Sequence, residues 1–487
     1  MKPDSPFTYS DHSMISRSYA DLKQSISSRL TGPQEVALVD KAFEWACAVH
    51  EGQRRRGGDP AVLHPIGVAK IVSQQIGLGL KSVCAALLHD SIESGKYTRE
   101  DIEREFSPKI ASLVDGVNRM REILTYEDIS YESRTLQVQH LKKMLLTMNG
   151  DTRTILIKLA DRLHNCRTIE YLPAYKREKI LTESEFLFIP LASRLGLGSI
   201  KSEMENIWLQ YRHPKEYSEI SRLINRGMKD KEKVIDEFLA PLCEALDKAG
   251  VKYKIKRRVK SPYSIWNKIT AKGVSFDQIS DLLAVRVVFT PSQNTLQAEK
   301  DECFRIFGII TGVYQYIPSR VRDWITHPKS SGYEALHLTV TGPENTSVEV
   351  QIRSQRMDET AEKGIAAHWK YKKEFKDFVP RENQMENFLT SVKDILEDGG
   401  DDLASLLDTM SDGLQNGPMT IFDKDGKAHD MPGGATALDF ASLAGPYEKE
   451  HAVAAKINYV LSPLEQRLAS GDRVEIITTR KVYPRQK

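Results

Sequence analysis

From about Gln34 to Leu209 the apolar residues recur at i, i+3 and i+4. VALVDKAFEWACAVHEG, VLHPIGVAKIVSQQIG, KSVCAALLHDSIES and TRTILIKLADRLHNCRTI all follow this rule, which predicts amphipathic or buried helices. Glycine and proline at Gly57-Gly58, Pro60, Gly77 and Gly79 punctuate them. The first half of the chain therefore reads as an all-α domain, continued by connecting helices. Past Lys229 the period changes. One more helix, KDKEKVIDEFLAPLCEALDKAG, precedes strand-like runs at DLLAVRVVF, ALHLTVTG and TSVEVQIRS, with a helical pattern between them at LQAEKDECFRIFGIITGVYQ. That alternation predicts an α/β domain. DLLAVRVVF is apolar on both faces and is expected as a central strand. TSVEVQIRS alternates apolar Val348, Val350 and Ile352 with polar Glu349, Gln351 and Arg353, as a half-buried strand requires. ALHLTVTG should pair with it across the PENT turn, which brings His337 and Thr339 beside Glu349. A mostly charged stretch follows. From Met419 onward a hairpin (MTIFDKDGKAHDMPGG), a short helix (ALDFASLAG) and two further strand runs form a small β-grasp pattern.

Composition changes this picture little. The chain has 487 residues, is 40% hydrophobic and 28% charged, and carries a net charge of +2. This is ordinary globular material for several domains, and any nucleic-acid contact must come from local patches. Five cysteines (Cys47, Cys84, Cys166, Cys243 and Cys303) include no C-x-x-C pair, which predicts reduced thiols and neither a disulfide frame nor a thiolate zinc site. The N-terminal segment has no apolar stretch of the secretory kind, and no run reaches the roughly 18 residues of a membrane span. A soluble, cytoplasmic protein is expected.

Two constellations carry chemistry. In the helical half, His64, His89, Asp90 and Asp161 lie at the polar ends or edges of apolar helices. Two imidazoles and two carboxylates suit a borderline divalent ion with a position open to water. A single buried histidine more often belongs to the core, but the ordered set H…HD…D on helices is far more specific. In the α/β half, KYKIKRRVK holds six cations in nine residues, Lys268 follows, and PSRVRDWITHPKSSGY adds Arg320, Arg322 and Lys329. Such a cluster is either a solvated or RNA-binding face or a device for neutralising phosphates. Asp281 and Glu349 on neighbouring strands favour the second, because two carboxylates plus phosphate oxygens hold Mg²⁺.

The motifs RRRGGDPAVLHPIGVA, ALLHDSIES and KLADRLHNCRT resemble the HD hydrolase domain of the RelA/SpoT homologue family. RRVKSPYSIWNKI, ISDLLAVRVVF, RVRDWITHPKSSGYEALHLTV and VEVQIRSQRMDETAEKGIAAHWKYK resemble, in order, its synthetase domain, whose fold is nucleotidyltransferase-like. The C-terminal module resembles a TGS domain. The resemblance implies an N-terminal extension (1–30), a hydrolase domain with connecting helices (31–210), a synthetase domain (211–375), a linker (376–417), a TGS domain (418–480) and a tail (481–487).

It further implies an enzyme of the stringent response that moves pyrophosphate from ATP to the 3′-hydroxyl of GDP or GTP. The products are (p)ppGpp and AMP, and the same chain hydrolyses (p)ppGpp. By resemblance His64, His89, Asp90 and Asp161 hold Mn²⁺, Glu93 acts on water, Arg55 contacts guanine and Asn165 shapes the pocket. Asp281 and Glu349 hold Mg²⁺, and Glu349 activates the ribose hydroxyl. Tyr333 stacks on guanine and Arg258 on adenine. Lys260, Ser264, Lys268, Arg320, Arg322, Lys329 and His337 cradle phosphates or order the loop over them. The TGS region of long family members senses uncharged tRNA on the ribosome, and this chain stops at TTRKVYPRQK, so full ribosome coupling is not expected of it.

One position departs from the family pattern. Active hydrolases of the family read HDxxED, and this chain reads HDSIES, with Ser94 at the second acid. The complete metal set predicts a working hydrolase that depends on Glu93. The alternative is a synthetase whose helical domain is a weak or dead scaffold. The loop RVRD keeps the basic form found in two-activity members, with Arg322 for their lysine.

Overall fold

The computed structural model describes residues 7–30, 32–125, 151–273, 275–276, 279, 282–326, 328, 333–364, 367, 419–431, 434–468 and 471–479. The chain divides into two compact units. One is formed mainly by residues 1–192 and 197–211, the other mainly by 212–379 and 404–487.

The first unit is helical among its described residues. Its helices are α1 (Tyr9–Ile26), α2 (Pro33–Val49), α3 (Leu63–Lys70), α4 (Leu80–Leu88), α5 (Arg99–Glu105), α6 (Pro108–Thr125), α7 (Arg153–Arg167), α8 (Ala174–Glu183), α9 (Ile189–Arg194) and α10 (Gly198–Arg212). α4 is the central post, with α2, α3, α6 and α7 packed around it. Every residue from Ser82 to Leu88 is buried, as a helix apolar on all sides requires. α4 stops at Leu88, so His89–Gly95 form a turn and not the further helical turn that the apolar spacing predicts. Gly95 closes it at φ +69°, a left-handed conformation that glycine adopts at no steric cost. The N-terminal extension expected over 1–30 is mostly the helix α1. A capping box at Thr8 and Asp11 starts it, and it packs on α3 with Leu22 and Ile26 buried.

The second unit opens with α11 (Pro214–Lys248) and carries a five-stranded sheet in the order β1-β2-β5-β4-β3. The strands are β1 (Tyr253–Val259), β2 (Leu283–Phe289), β3 (Arg322–Asp323), β4 (Leu336–Thr341) and β5 (Ser347–Ser354). Its helices are α12 (Pro262–Lys272), α13 (Leu296–Val313) and α14 (Gln355–Lys363). β2 and β5 are parallel and the other pairs antiparallel. β2 is interior as expected, while β5 is the middle strand. One sheet face (Val285, Val287, Leu336, Leu338, Val350 and Ile352) forms a core with Phe238 and Leu242 of α11 and Ile306 and Ile310 of α13. β5 was expected to be half-buried, but Gln351 and Arg353 on its polar side are also buried. α14 covers that end, and its Asp358 pairs with Arg286 at 2.7 Å and Arg353 at 3.4 Å. Buried charges persist only when paired in this way.

The C-terminal module is a second five-stranded sheet, β7-β6-β10-β8-β9. It is built from β6 (Met419–Asp423), β7 (Ala428–Met431), α15 (Ala437–Ala444), α16 (Pro446–His451), β8 (Ala452–Ile457), β9 (Val460–Ser462) and β10 (Arg473–Thr478). β10 runs parallel to β6 and antiparallel to β8, the β-grasp arrangement read from the sequence. Among the described residues no helix is long and apolar enough to cross a membrane.

Candidate active sites

In the helical unit, α3, the end of α4 and α7 converge on one point. The ligand atoms of His64, His89 and Asp90 lie within 4.8 Å of one another. Asp161 joins them, its Oδ1 3.3 Å from His64 Nε2. His89 places Nδ1 2.8 Å from the Ala86 carbonyl, which fixes the ring and leaves Nε2 3.3 Å from Asp90 Oδ1. Burial works to raise the Asp161 carboxyl pKa, but Lys158 beside it, bonded at 2.7 Å, and the two histidines hold it well below the usual range. Asp90 is likewise kept ionised against burial by His89, His50 and His64. Burial lowers the His64 pKa, partly offset by Asp161, so the ring stays a neutral donor. Oxygen and imidazole nitrogen atoms at these distances fit a divalent ion of the Mn²⁺, Fe²⁺ or Zn²⁺ kind.

Beside this cluster Arg55 reaches across to α7. It donates to Asn165 Oδ1 at 2.9 Å and Thr168 Oγ1 at 3.3 Å, and Asn165 donates to Asp161 at 2.7 Å. Arg55 and Asn165, both named from the sequence, therefore meet beside the cluster. Sequence reasoning missed His164. Its Nδ1 lies 3.0 Å from His64 Nδ1, and burial, helped by His64 and Arg55, pushes its pKa down to about 2. It sits in the quoted DRLHNCRT motif, one residue before Asn165. Gly67 of α3 makes its seat, because a Cβ there would collide with the imidazole. His50, 3.6 Å from Asp90, and Lys158 were missed as well. Ser94 turns away from the cluster, donating to the Ser91 carbonyl at 2.8 Å. Glu93 stays at the rim, paired with Arg121 of α6.

In the second unit the strand register builds the site. Arg258, Ala284, Glu349 and Thr339 form one row across β1, β2, β5 and β4. Lys256, Arg286, Gln351, His337 and Arg322 form the next row and extend to β3. With strands about 4.8 Å apart, Arg258 and Glu349 stand roughly 10 Å from each other over the small Ala284. Gln351 donates to Glu349 at 2.7 Å, and His337 Nδ1 is 3.5 Å from the same oxygen. His337 Nε2 lies 2.7 Å from the Tyr333 hydroxyl. Arg353 backs Tyr333, its guanidinium 4.6 Å from the ring centroid. Gln351 and Arg353 were legible only as polar alternation, not as supports of Glu349 and Tyr333. Ser264 lies in the first turn of α12, accepting from Ser261, and Lys268 lies one turn further on. Lys260 follows β1, and Arg320 precedes β3. Asp281 and Lys329 lie outside the described residues, as does the 376–417 linker, so of the two carboxylates expected to hold Mg²⁺ only Glu349 is described.

Three family models match in chain order: an HD domain over residues 42–198, a region found in RelA/SpoT proteins over 257–376 and a TGS domain over 419–478. The bifunctional (p)ppGpp synthase/hydrolase SpoT of Escherichia coli K12 is 34% identical over 466 residues, which is 96% of this chain and 64% of that protein. The chain belongs to the RelA/SpoT homologue family. A GTP pyrophosphokinase of Myxococcus xanthus is 33% identical over 450 residues, 92% of this chain and 58% of its own length. A guanosine-3′,5′-bis(diphosphate) 3′-pyrophosphohydrolase of Aquifex aeolicus is 34% identical over 453 residues, 93% of this chain and 62% of its own length. The chain thus spans about three fifths of the curated relatives it matches. A solved small alarmone synthetase from Bacillus subtilis, bound to pppGpp, covers 39% of this chain and 96% of its own at 18% identity and a TM-score of 0.23, too low to carry weight. The HD, RelA/SpoT and TGS order expected from the sequence is the order found.

Proposed function

We propose that this member of the RelA/SpoT family both makes and degrades (p)ppGpp, in the cytoplasm, with one site in each unit. The observation that supports this best is that each unit assembles a polar constellation of its own, each matched to a different phosphate chemistry. The division into 31–210 for hydrolysis, 211–375 for synthesis and 418–480 for the TGS module follows the same reading.

In the synthetase, Glu349 accepts the proton of the GDP or GTP 3′-hydroxyl. The bond from O3′ to the β-phosphorus of ATP forms, the bridging bond from that phosphorus to the α-phosphate oxygen breaks, and AMP leaves. Gln351 and His337 fix the Glu349 carboxylate, and Tyr333 offers a ring face to guanine. Arg258 stacks on adenine, while Lys260, Ser264, Lys268, Arg320, Arg322 and Lys329 bind and neutralise the phosphates. Most of the rate enhancement is positioning and charge neutralisation. Glu349 with Asp281 would hold Mg²⁺, which would supply further charge neutralisation there.

In the hydrolase, His64, His89, Asp90 and Asp161 would hold Mn²⁺, which when bound lowers the pKa of a water molecule. Glu93 takes up the proton of the attacking water. Arg55 and Asn165 orient the guanine. The water oxygen bonds to the phosphorus carried on O3′, the bond from that phosphorus to O3′ breaks, O3′ takes up a proton, and pyrophosphate leaves with GDP or GTP as the other product. A synthetase-only reading rests on Ser94, while the convergence of all four ligand side chains favours hydrolysis. The TGS module is compatible with ribosome and tRNA contact in a longer protein.

Glu349→Gln tests the assignment. Removing a positioned base costs about 10²–10⁴-fold, so synthesis from ATP and GDP should fall by that factor while ppGpp hydrolysis stays within twofold. Retained synthesis would show that Glu349 is not the base.

A further inference from the structure

The turn that ends α4 presents Asp90 and Glu93 to the same guanidinium. Arg121 of α6 lies 3.3 Å from Asp90 Oδ1 and forms an ion pair with Glu93. Asp90 Oδ1 is also the oxygen 3.3 Å from His89 Nε2, inside the cluster of candidate ligands. Arg121 and Glu93 are each about two-fifths exposed, whereas Asp90 is largely covered, so the cation sits at the mouth of the site. Ser94 stands where the HDxxED pattern has its second acid, and its hydroxyl donates to the Ser91 carbonyl.

A guanidinium and a divalent ion drawn to one carboxylate oxygen repel each other. A metal arriving at Asp90 therefore competes with Arg121 for it. Arg121 keeps its other partner, Glu93, and the ion pair restricts where that carboxylate can turn. We propose that Arg121 is a positioning residue of the hydrolase: it competes with the divalent ion for Asp90 and holds Glu93, the remaining acid, in place for catalysis. The proposal rests on the hydrolase reading above.

The two halves predict opposite effects of one substitution. The 487-residue chain, stripped of metal, is titrated with Mn²⁺, with free Mn²⁺ followed by its electron paramagnetic resonance signal, and hydrolysis of ppGpp is measured on the reloaded protein. Arg121→Gln should bind Mn²⁺ about three- to tenfold more tightly, the scale of one partly exposed charge pair. Its kcat for hydrolysis should fall about 10- to 100-fold, as for a misaligned general base, with KM within about twofold of wild type because Arg121 binds no substrate in this reading. Arg121→Lys, which keeps a cation beside both acids, should return Mn²⁺ affinity to the wild-type value and recover part of kcat. ATP-dependent synthesis, unchanged in both variants, reports the fold. Unchanged or weaker Mn²⁺ binding in Arg121→Gln would overturn the competition, and unchanged kcat would overturn the positioning of Glu93. If neither wild type nor variant binds Mn²⁺, the metal-site reading beneath the proposal fails.

Discussion

Ser94 follows Glu93 on the turn after α4, and its hydroxyl caps that turn by donating to the Ser91 carbonyl while accepting from the Lys96 amide at 3.3 Å. A hydroxyl in that role cannot hold charge or carry a proton near neutral pH. An aspartate at the same position could do both, at the loss of one hydrogen bond on an exposed turn. Ser94→Asp is therefore expected to raise ppGpp hydrolysis by about tenfold or more, a fraction of the roughly 10²–10⁴-fold that a fully positioned acid–base group contributes. A rate unchanged from wild type in a pyrophosphate-release assay would show that position 94 takes no part in the reaction. At this scale the sequence was informative about identity and poor about neighbours. HDSIES showed which residue was missing. It did not show that Arg121, 28 positions downstream of Glu93, would stand against it.

Elements were legible where one periodicity dominated. The apolar run into His89 marks α4 and its polar end, and the alternation in VEVQIRS marks β5 and the face that carries Glu349. What the pattern could not show was the cover over that face. Arg353 reads as solvent-facing until α14 brings Asp358 against it. Likewise α7 reads as a helix with a functional edge, but the partner of His164 is chosen by how α3 packs on it at Gly67. Between α6 and α7, Asp151 forms an ion bond with Lys109 at 2.6 Å and with Arg153 at 2.8 Å. Burial alone would raise the Asp151 pKa, yet these partners lower it from 3.8 to about 2. A folded-state pKa below the unfolded value means that the ionised form stabilises the fold. The contribution is complete above about pH 4 and is lost as the pH falls through about 2. Asp151→Asn should cost roughly 1–2 kcal/mol at pH 7, allowing for solvent screening. The wild-type and variant urea midpoints should converge as the pH drops from 4 to 2. Parallel curves across that window would show that the pair contributes nothing.

At the scale of the whole molecule, the two candidate sites lie in different compact units, and each is built from side chains of its own unit. The helical unit brings histidine and carboxylate donors together at the ends of buried helices. The sheet unit aligns Arg258, Glu349 and His337 by strand register, and Tyr333, just before β4, meets His337. If both proposed activities are present, this separation predicts that one can be removed without the other, and hydrolysis is the point on which the two-activity proposal stands. The most direct test is incubation of the purified chain with ppGpp and Mn²⁺, with and without chelator, while GDP and pyrophosphate are followed and synthesis from ATP and GDP is measured on the same preparation. The account predicts stoichiometric GDP and pyrophosphate, abolished by chelator, alongside ATP-dependent synthesis. Synthesis with no chelator-sensitive release of pyrophosphate would contradict it and leave the helical unit a scaffold.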